Sequence, residues 1–335
     1  MPPDPTHGSQ GLGRMTQVRR RPCRRDTWDR TQHTHDDPRA PLSLPPVPIS
    51  TVLVIDPPGY GHGAVFHDVA DALVHALQDL GSPARLVRGL PDESDGQTLV
   101  LGTNLLAADP RLAERLHPDA VLYNLEQIEP GSPWCGPGLV GLLARHRVLD
   151  YSRQNIERLA ELGLHDVGLL EIGHHPVLER IETDLDQPID VLFYGSLNER
   201  RAEILHELDS RGLRVHHAFG VYGAARDALI AQSKVVLNLH HFEAKVFEVV
   251  RVSYVLANGC FVVSETGGDA ELEEPYRDAV AFADYDELAD VCERFVANSA
   301  ARSTIAGRGQ AIMRTRPQAE LLQRAFAGLV SGVGV

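Results

Sequence analysis

The chain has 335 residues, 43% hydrophobic and 23% charged, with a formal net charge of −14. That length exceeds one ordinary core and suits about two domains, and the acidic balance argues against a nucleic-acid partner, which needs a clustered positive footprint. Four cysteines (Cys23, Cys135, Cys260 and Cys292) form no CxxC pair, so neither a disulfide framework nor a cysteine zinc site is suggested, and a cytoplasmic protein is expected. An uninterrupted apolar run of about 18 residues is missing, so no integral membrane segment is expected, and charges and prolines stand where a signal peptide needs an apolar stretch.

Residues 1–48 are crowded with prolines and carry a basic cluster (Arg19, Arg20, Arg21, Arg24, Arg25) without hydrophobic periodicity. Such a segment cannot bury enough apolar surface to offset its ordering entropy, so a disordered tail is predicted. An arginine arm for nucleic acid or lipid, or a true start at Met15 or later, are the alternatives. Pattern begins at Thr51. Residues 51–56 (TVLVID) read as a β-branched strand, and beyond the turn Val65, Val69, Leu73, Ala76, Leu77 and Leu80 repeat at helical spacing. Further strands are predicted at 84–87, 98–101, 120–124, 147–150 and 167–172, separated by segments long enough for crossovers, which gives a parallel sheet of about five or six strands. After a polar stretch at 174–188, a second series starts: strands at 191–195, 213–218, 235–239, 260–264 and 280–282, helices near 199–211, 224–232, 247–257 and 286–297. The fold class is therefore α/β: two tandem Rossmann-like domains facing a central cleft. The expected division is an N-terminal domain at 49–175, a linker at 176–189, a C-terminal domain at 190–315, and a final helix and tail at 316–335.

Chemistry-bearing residues collect at the predicted strand ends, where open α/β sheets hold ligands. The loop Gly59-Tyr60-Gly61-His62-Gly63 lacks the third glycine of a dinucleotide fingerprint at its proper spacing. A phosphate or sugar hydroxyl at Gly61 and Gly63 is the functional reading, and a plain flexible turn the bland one. His62, His67, Asn124, Glu126 and Gln127 follow strands on the same side. In the second series Gly195-Ser196 precedes Asn198, Glu199, Arg200 and Arg201 at a helix start, where N–H and guanidinium groups can meet an anion. Tyr222, in a glycine-flanked loop, can lie against a flat base. The unit 235–265 then gathers His240, His241, Glu243, Lys245, Glu248 and Arg251 at one strand-to-helix junction. On that helix Phe247, Arg251, Tyr254 and Asn258 are expected to share a face. A surface ion pair with Glu248 is the alternative role of Arg251.

The pattern Arg251-Val-Ser-Tyr254-Val-Leu-Ala257-Asn-Gly259, followed by Phe261-Val-Val-Ser264, resembles the donor-site helix of GT-B-fold glycosyltransferases, in the glycosyl-transferases-group-1-like branch. The resemblance is specific over 190–265. It implies transfer of a sugar from a nucleotide diphosphate donor on the C-terminal domain to an unidentified acceptor held mainly by the N-terminal one, with no cofactor. It also implies that basic groups (Arg251, Arg200, Arg201, Lys245) rather than a metal stabilise the departing diphosphate. Glu126 or His62 would be the base of an inverting reaction. Tyr254 stands where the family has a glutamate on the donor ribose, so Glu248 or Glu243 would take that role, or donor binding differs. A catalytically silent nucleotide-binding relative and a sugar-nucleotide epimerase are the rival functions. The histidine pairs 174–175, 216–217 and 240–241 make no ready chelate, since neighbours in a strand point apart. The DxD at 184–186 falls in the linker, and the seven-residue spacing of Glu265 and Glu273 follows the strand and is read as coincidence.

Overall fold

The computed structural model describes residues 47–90, 95–129, 135–183, 186–241 and 245–331. The first 46 residues of the predicted tail, Glu243, and Asp184 and Leu185 of the DxD lie outside them.

Eleven strands form two all-parallel sheets among these residues. The first contains β1 (Thr51–Ile55), β2 (Arg85–Gly89), β3 (Thr98–Leu101), β4 (Val121–Asn124), β5 (Arg147–Asp150) and β6 (Val167–Leu169), in the order β2-β1-β3-β4-β5-β6. The second contains β7 (Ile189–Tyr194), β8 (Val215–Ala218), β9 (Ser233–Asn238), β10 (Val262–Glu265) and β11 (Ala281–Ala283), in the order β11-β10-β9-β7-β8. Their apolar runs explain the arrangement. Every residue of β1, β3 and β4 is buried, as strands covered by helices on both faces must be. The helix His67–Asp79 covers one such face with Val69, Ala70, Leu73, Ala76 and Leu77. Asn198 caps the helix Glu199–Ser210 by accepting a 3.0 Å hydrogen bond from the Arg201 N–H, which fixes where that helix starts relative to β7.

Strand order reverses between β1 and β3 in one sheet and between β7 and β9 in the other. At such switch points neighbouring loops diverge and leave a crevice at the carboxyl ends of the strands. The loops after β1, β3, β7 and β9 flank these crevices, with the loops after β4 and β8 next to them.

The chain passes between the sheets twice, side by side. The His174 N–H donates to Arg316 O and the Gln318 N–H to His174 O, both at 2.8 Å, while Gln318 Oε1 accepts from the Gly173 N–H at 2.7 Å. A side chain at Gly173 would strike Arg316 O, 2.7 Å from its first carbon, so this close approach requires glycine. Asn258 Oδ1 accepts from the N–H groups of Arg180 and Ile181 at 2.7 and 2.9 Å. It thus ties down the first crossing, away from the ligand face expected for it. After the second crossing the helix Gln318–Ser331 returns to the first half, where Leu329 packs over Gly168 of β6. A single apolar cluster runs from the first sheet to the inner face of the second, including Val252 and Leu256, and another covers the outer face of the second sheet around Phe193, Leu208 and Leu237. No helix among the described residues is long and apolar enough to cross a membrane.

Candidate functional site

A cleft with a cavity volume of about 500 Å³ lies between the carboxyl ends of the two sheets. Its first wall carries Tyr60, His62, Asp68, Asn104, Glu126 and Gln127; its second carries Gly195, Ser196, Phe219, Tyr222, Arg226, Glu248, Arg251 and Tyr254. Glu126 and Arg251, from opposite halves, thus face one space.

Arg251 sits in the first turn of the helix Val249–Ala257. Its Nη1 donates to Asn238 Oδ1 at 2.8 Å, its guanidinium carbon lies 5.4 Å from the centre of the Tyr194 ring, and no carboxylate pairs with it among the described residues. Its positive charge is therefore available beside a helix N-terminus, which favours an anion. The expected alternative partner, Glu248, is engaged elsewhere. Its carboxylate accepts from Asn238 Nδ2 at 2.9 Å and from Arg201 Nη2 at 3.2 Å, and lies 3.0 Å from His240 Nδ1. Burial alone would raise Glu248, yet His240 and the guanidinium groups of Arg251 and Arg201 hold it below the usual carboxylate range. Gly195, with φ +151°, leaves room for these cations. A Cβ there would lie 3.2 Å from Arg251 Nη2 and 3.8 Å from Arg201 Nη1.

The first wall is acidic and poorly partnered. Burial alone pushes the Glu126 carboxyl up to about 7. Its loop is braced from below: Asn124, fully buried, donates to Glu126 O at 2.9 Å and to Asp150 Oδ2 at 2.7 Å, and Asn155 Nδ2 donates to the same Glu126 carbonyl at 2.9 Å. His62 Nδ1 lies 2.7 Å from the Tyr222 hydroxyl across the cleft, with its ring 5.1 Å from that of Phe219. A second bridge joins the walls where Arg226 meets Asp68 at 2.5 Å and Asp227 at 2.7 Å.

Comparison with known proteins fits this layout. A family model described as glycosyl transferase-like matches residues 176–323. The structure of Anabaena HepE in complex with UDP and glucose superposes with a TM-score of 0.57 at 15% identity, covering 85% of this chain and all of that one. The T4 phage BGT structure in complex with UDP-glucose gives 0.56 at 13% identity, covering 84% and 99%. The chain has a GT-B fold, and its residues 176–323 match the glycosyl transferase-like family. In sequence, the chain is 28% identical to protein L140 of Acanthamoeba polyphaga mimivirus over 187 residues, which is 53% of the chain and 59% of that protein. Protein R358 of the same virus is 27% identical over 156 residues, 45% and 54% of the two. The match thus spans little more than half of either viral relative.

Several side chains singled out from sequence are engaged in structural contacts. Of the four cations expected at a diphosphate, only Arg251 lines the cleft. Arg201 is buried between Glu248 and the carbonyls of Ser196, Leu239 and His240; burial, with Arg251 alongside, pulls its guanidinium down to about 10. Arg200 grips Glu265 with both terminal nitrogens, one at 2.7 Å, and stacks 4.0 Å over the Tyr285 ring. Lys245 Nζ reaches the same carboxylate at 3.3 Å. Glu265, fully buried, also accepts from the His240 N–H at 3.2 Å. Its spacing to Glu273 is structural: Glu273 accepts from the Gly267 N–H at 2.5 Å, so both carboxylates brace the loop after β10. Asn124 supports its loop from inside, and a Cβ at Gly63 would crowd the Asp56 carboxylate. Gly61 meets open space. Tyr254 is 3% exposed under the Arg226 guanidinium, 4.0 Å above its ring. Phe247, expected as the first helical residue, precedes the helix and is fully buried.

Sequence reasoning missed Asn104, Asp68, Arg226, Phe219 and Glu265. For Asn104 a signal existed: it follows the strand at 98–101, and strand ends are where open α/β sheets hold ligands. Nothing local marks Asp68 and Arg226 as partners, since 158 residues separate them.

Proposed function

We propose that this chain moves a sugar, without a metal, from a nucleotide diphosphate donor held by the 190–315 half to an acceptor held by the 49–175 half. The carrying observation is the pairing of an uncompensated Arg251 on one wall with a carboxyl raised to about 7, Glu126, on the other wall of the same cleft. A pKa near the working pH suits a general base. In an inverting transfer Glu126 takes the acceptor hydroxyl proton as the new O–C1 bond forms. The C1–O bond to the diphosphate breaks, and its electron pair leaves on the phosphate oxygen beside Arg251. Negative charge grows there in the transition state, where a fixed cation in a partly dry site acts most strongly. HepE and T4 phage BGT were solved with UDP or UDP-glucose, which makes a uridine donor the first to try.

The test starts with thermal shifts of the full chain against UDP, GDP, dTDP, ADP and CMP. A ligand at 100 times its dissociation constant stabilises by about 2.7 kcal/mol, and one nucleotide diphosphate is expected to stand out. Release of sugar from the matching nucleotide sugar follows. A nucleotide that binds while its sugar derivative stays intact points to a silent binder instead, a reading favoured by one observation: the family's ribose-binding glutamate is replaced by Tyr254, and Glu248 is already held by three groups.

A further inference from the structure

We propose that Asn104 and Gln127 form an acceptor subsite that admits a neutral, hydroxyl-rich acceptor, a sugar or related polyol, and disfavours phosphorylated ones. The inference rests on the transferase reading and narrows the class of acceptor. Asn104 follows β3 at the switch point of the first sheet and lines the cleft, yet it is only 5% exposed and its Oδ1 has no hydrogen-bond partner. Gln127 lines the same cleft; its Nε2 donates to Val246 O at 3.4 Å, while its buried Oε1 is also without a partner. Buried acceptors left bare are uncommon because desolvating them is costly, and two on one wall of one cavity mark a place where a ligand supplies the donors.

Charge selects the kind of ligand. Among the described residues the first half brings the carboxyls of Glu126 and Asp68 to the cleft lining and no lysine or arginine. Arg226 reaches over from the second half, but Asp68 and Asp227 already hold it. A phosphate in this wall would meet Glu126 with no cation to offset it. A hydroxyl both donates and accepts, so it satisfies either amide whichever way its oxygen and nitrogen are turned.

The full chain is supplied with the nucleotide sugar chosen by thermal shift, and transfer is measured to methyl hexosides, to hexose 6-phosphates and to a duplex oligodeoxynucleotide. Methyl hexosides are expected to accept sugar with kcat/KM at least about 10-fold above the phosphorylated compounds. Asn104→Ala and Gln127→Ala should each raise the methyl hexoside KM about 10-fold, the usual loss for one hydrogen bond, with kcat changed less and the donor dissociation constant unchanged. That donor constant also shows that each variant has folded. Preference for a phosphorylated acceptor, an unmoved KM in both variants, or donor breakdown with no transfer to any methyl hexoside would overturn the subsite. Failure of every nucleotide sugar to bind or be cleaved is a different result. It removes the transferase reading itself, and the subsite falls with it.

Discussion

The two walls of the cleft are built from the same kind of sheet but finished differently. In the second half almost every polar group near the site is already paired: Glu248 with Asn238, Arg201 and His240, and Glu265 with Arg200 and Lys245. The result is a paired frame in which Arg251 lines the cleft without a carboxylate partner among the described residues. On the first wall, burial rather than pairing sets the properties: Glu126 titrates near 7 with no cation beside it, and two amide oxygens are bare. The contrast teaches that one wall is preorganised around a fixed charge, while the other keeps groups that a ligand must satisfy. That fits a donor whose departing diphosphate gains negative charge beside a fixed cation and an acceptor whose proton has to move.

The largest effect should come from breaking the reactive side of this contrast. Glu126→Gln is expected to lower transfer by about 10²- to 10⁴-fold, the range of one general base, while donor affinity measured by calorimetry stays put. In the parent protein kcat/KM should rise as pH increases through about 7, because the base works only when ionised; that limb should vanish in the variant. A mild effect with the limb retained would indicate a retaining mechanism in which Glu126 only orients the acceptor.

Next comes the preorganised side. Arg251→Ala should cost about 10²- to 10³-fold in turnover and weaken nucleotide diphosphate binding, with the circular dichroism spectrum unchanged. Unaltered kinetics would demote Arg251 to a packing residue over Tyr194.

The bridge between the walls gives a stability effect. Asp68→Asn leaves the largely buried Arg226 with Asp227 alone, and losing one partner of a buried pair costs about 3–5 kcal/mol at most. With Asp227 remaining, a smaller drop in urea midpoint is expected. A midpoint equal to that of the parent would show that the Arg226–Asp68 contact contributes nothing to holding the cleft.

The smallest effect reuses Glu126→Gln as a probe of folding. A carboxyl whose folded pKa is raised favours the native state at low pH, and that contribution is lost as pH climbs through the folded value near 7. At pH 8 the buried carboxylate is therefore a liability that glutamine removes. The variant should melt higher than the parent at pH 8 and alike at pH 4. A lower melting temperature at both pH values would mean that Glu126 makes a stabilising contact when ionised.

Much of this architecture is legible in the sequence. The β-branched run TVLVI and the apolar run VLY read as strands covered on both faces, and helical spacing of Val69, Leu73, Ala76 and Leu77 supplies one of the covers. Strand ends leading to Glu126 and Gly195, and the helix start carrying Arg251, are directed toward a crevice once the sheets are parallel. These are consequences of local period and chain direction, which the sequence alone contains. What it could not decide is which charged groups neutralise one another. Arg200, Arg201, Lys245 and Arg251 look alike in the chain, yet folding gives the first and third to Glu265, the second to Glu248, and leaves the fourth without a carboxylate. Likewise Asp68 finds Arg226 across 158 positions, and Asn104, just past β3 at the switch point, keeps a buried Oδ1 without a partner. Coulomb and hydrogen-bond energies depend on distance in space and on exclusion of water, and both are properties of the packed tertiary structure that no local pattern records.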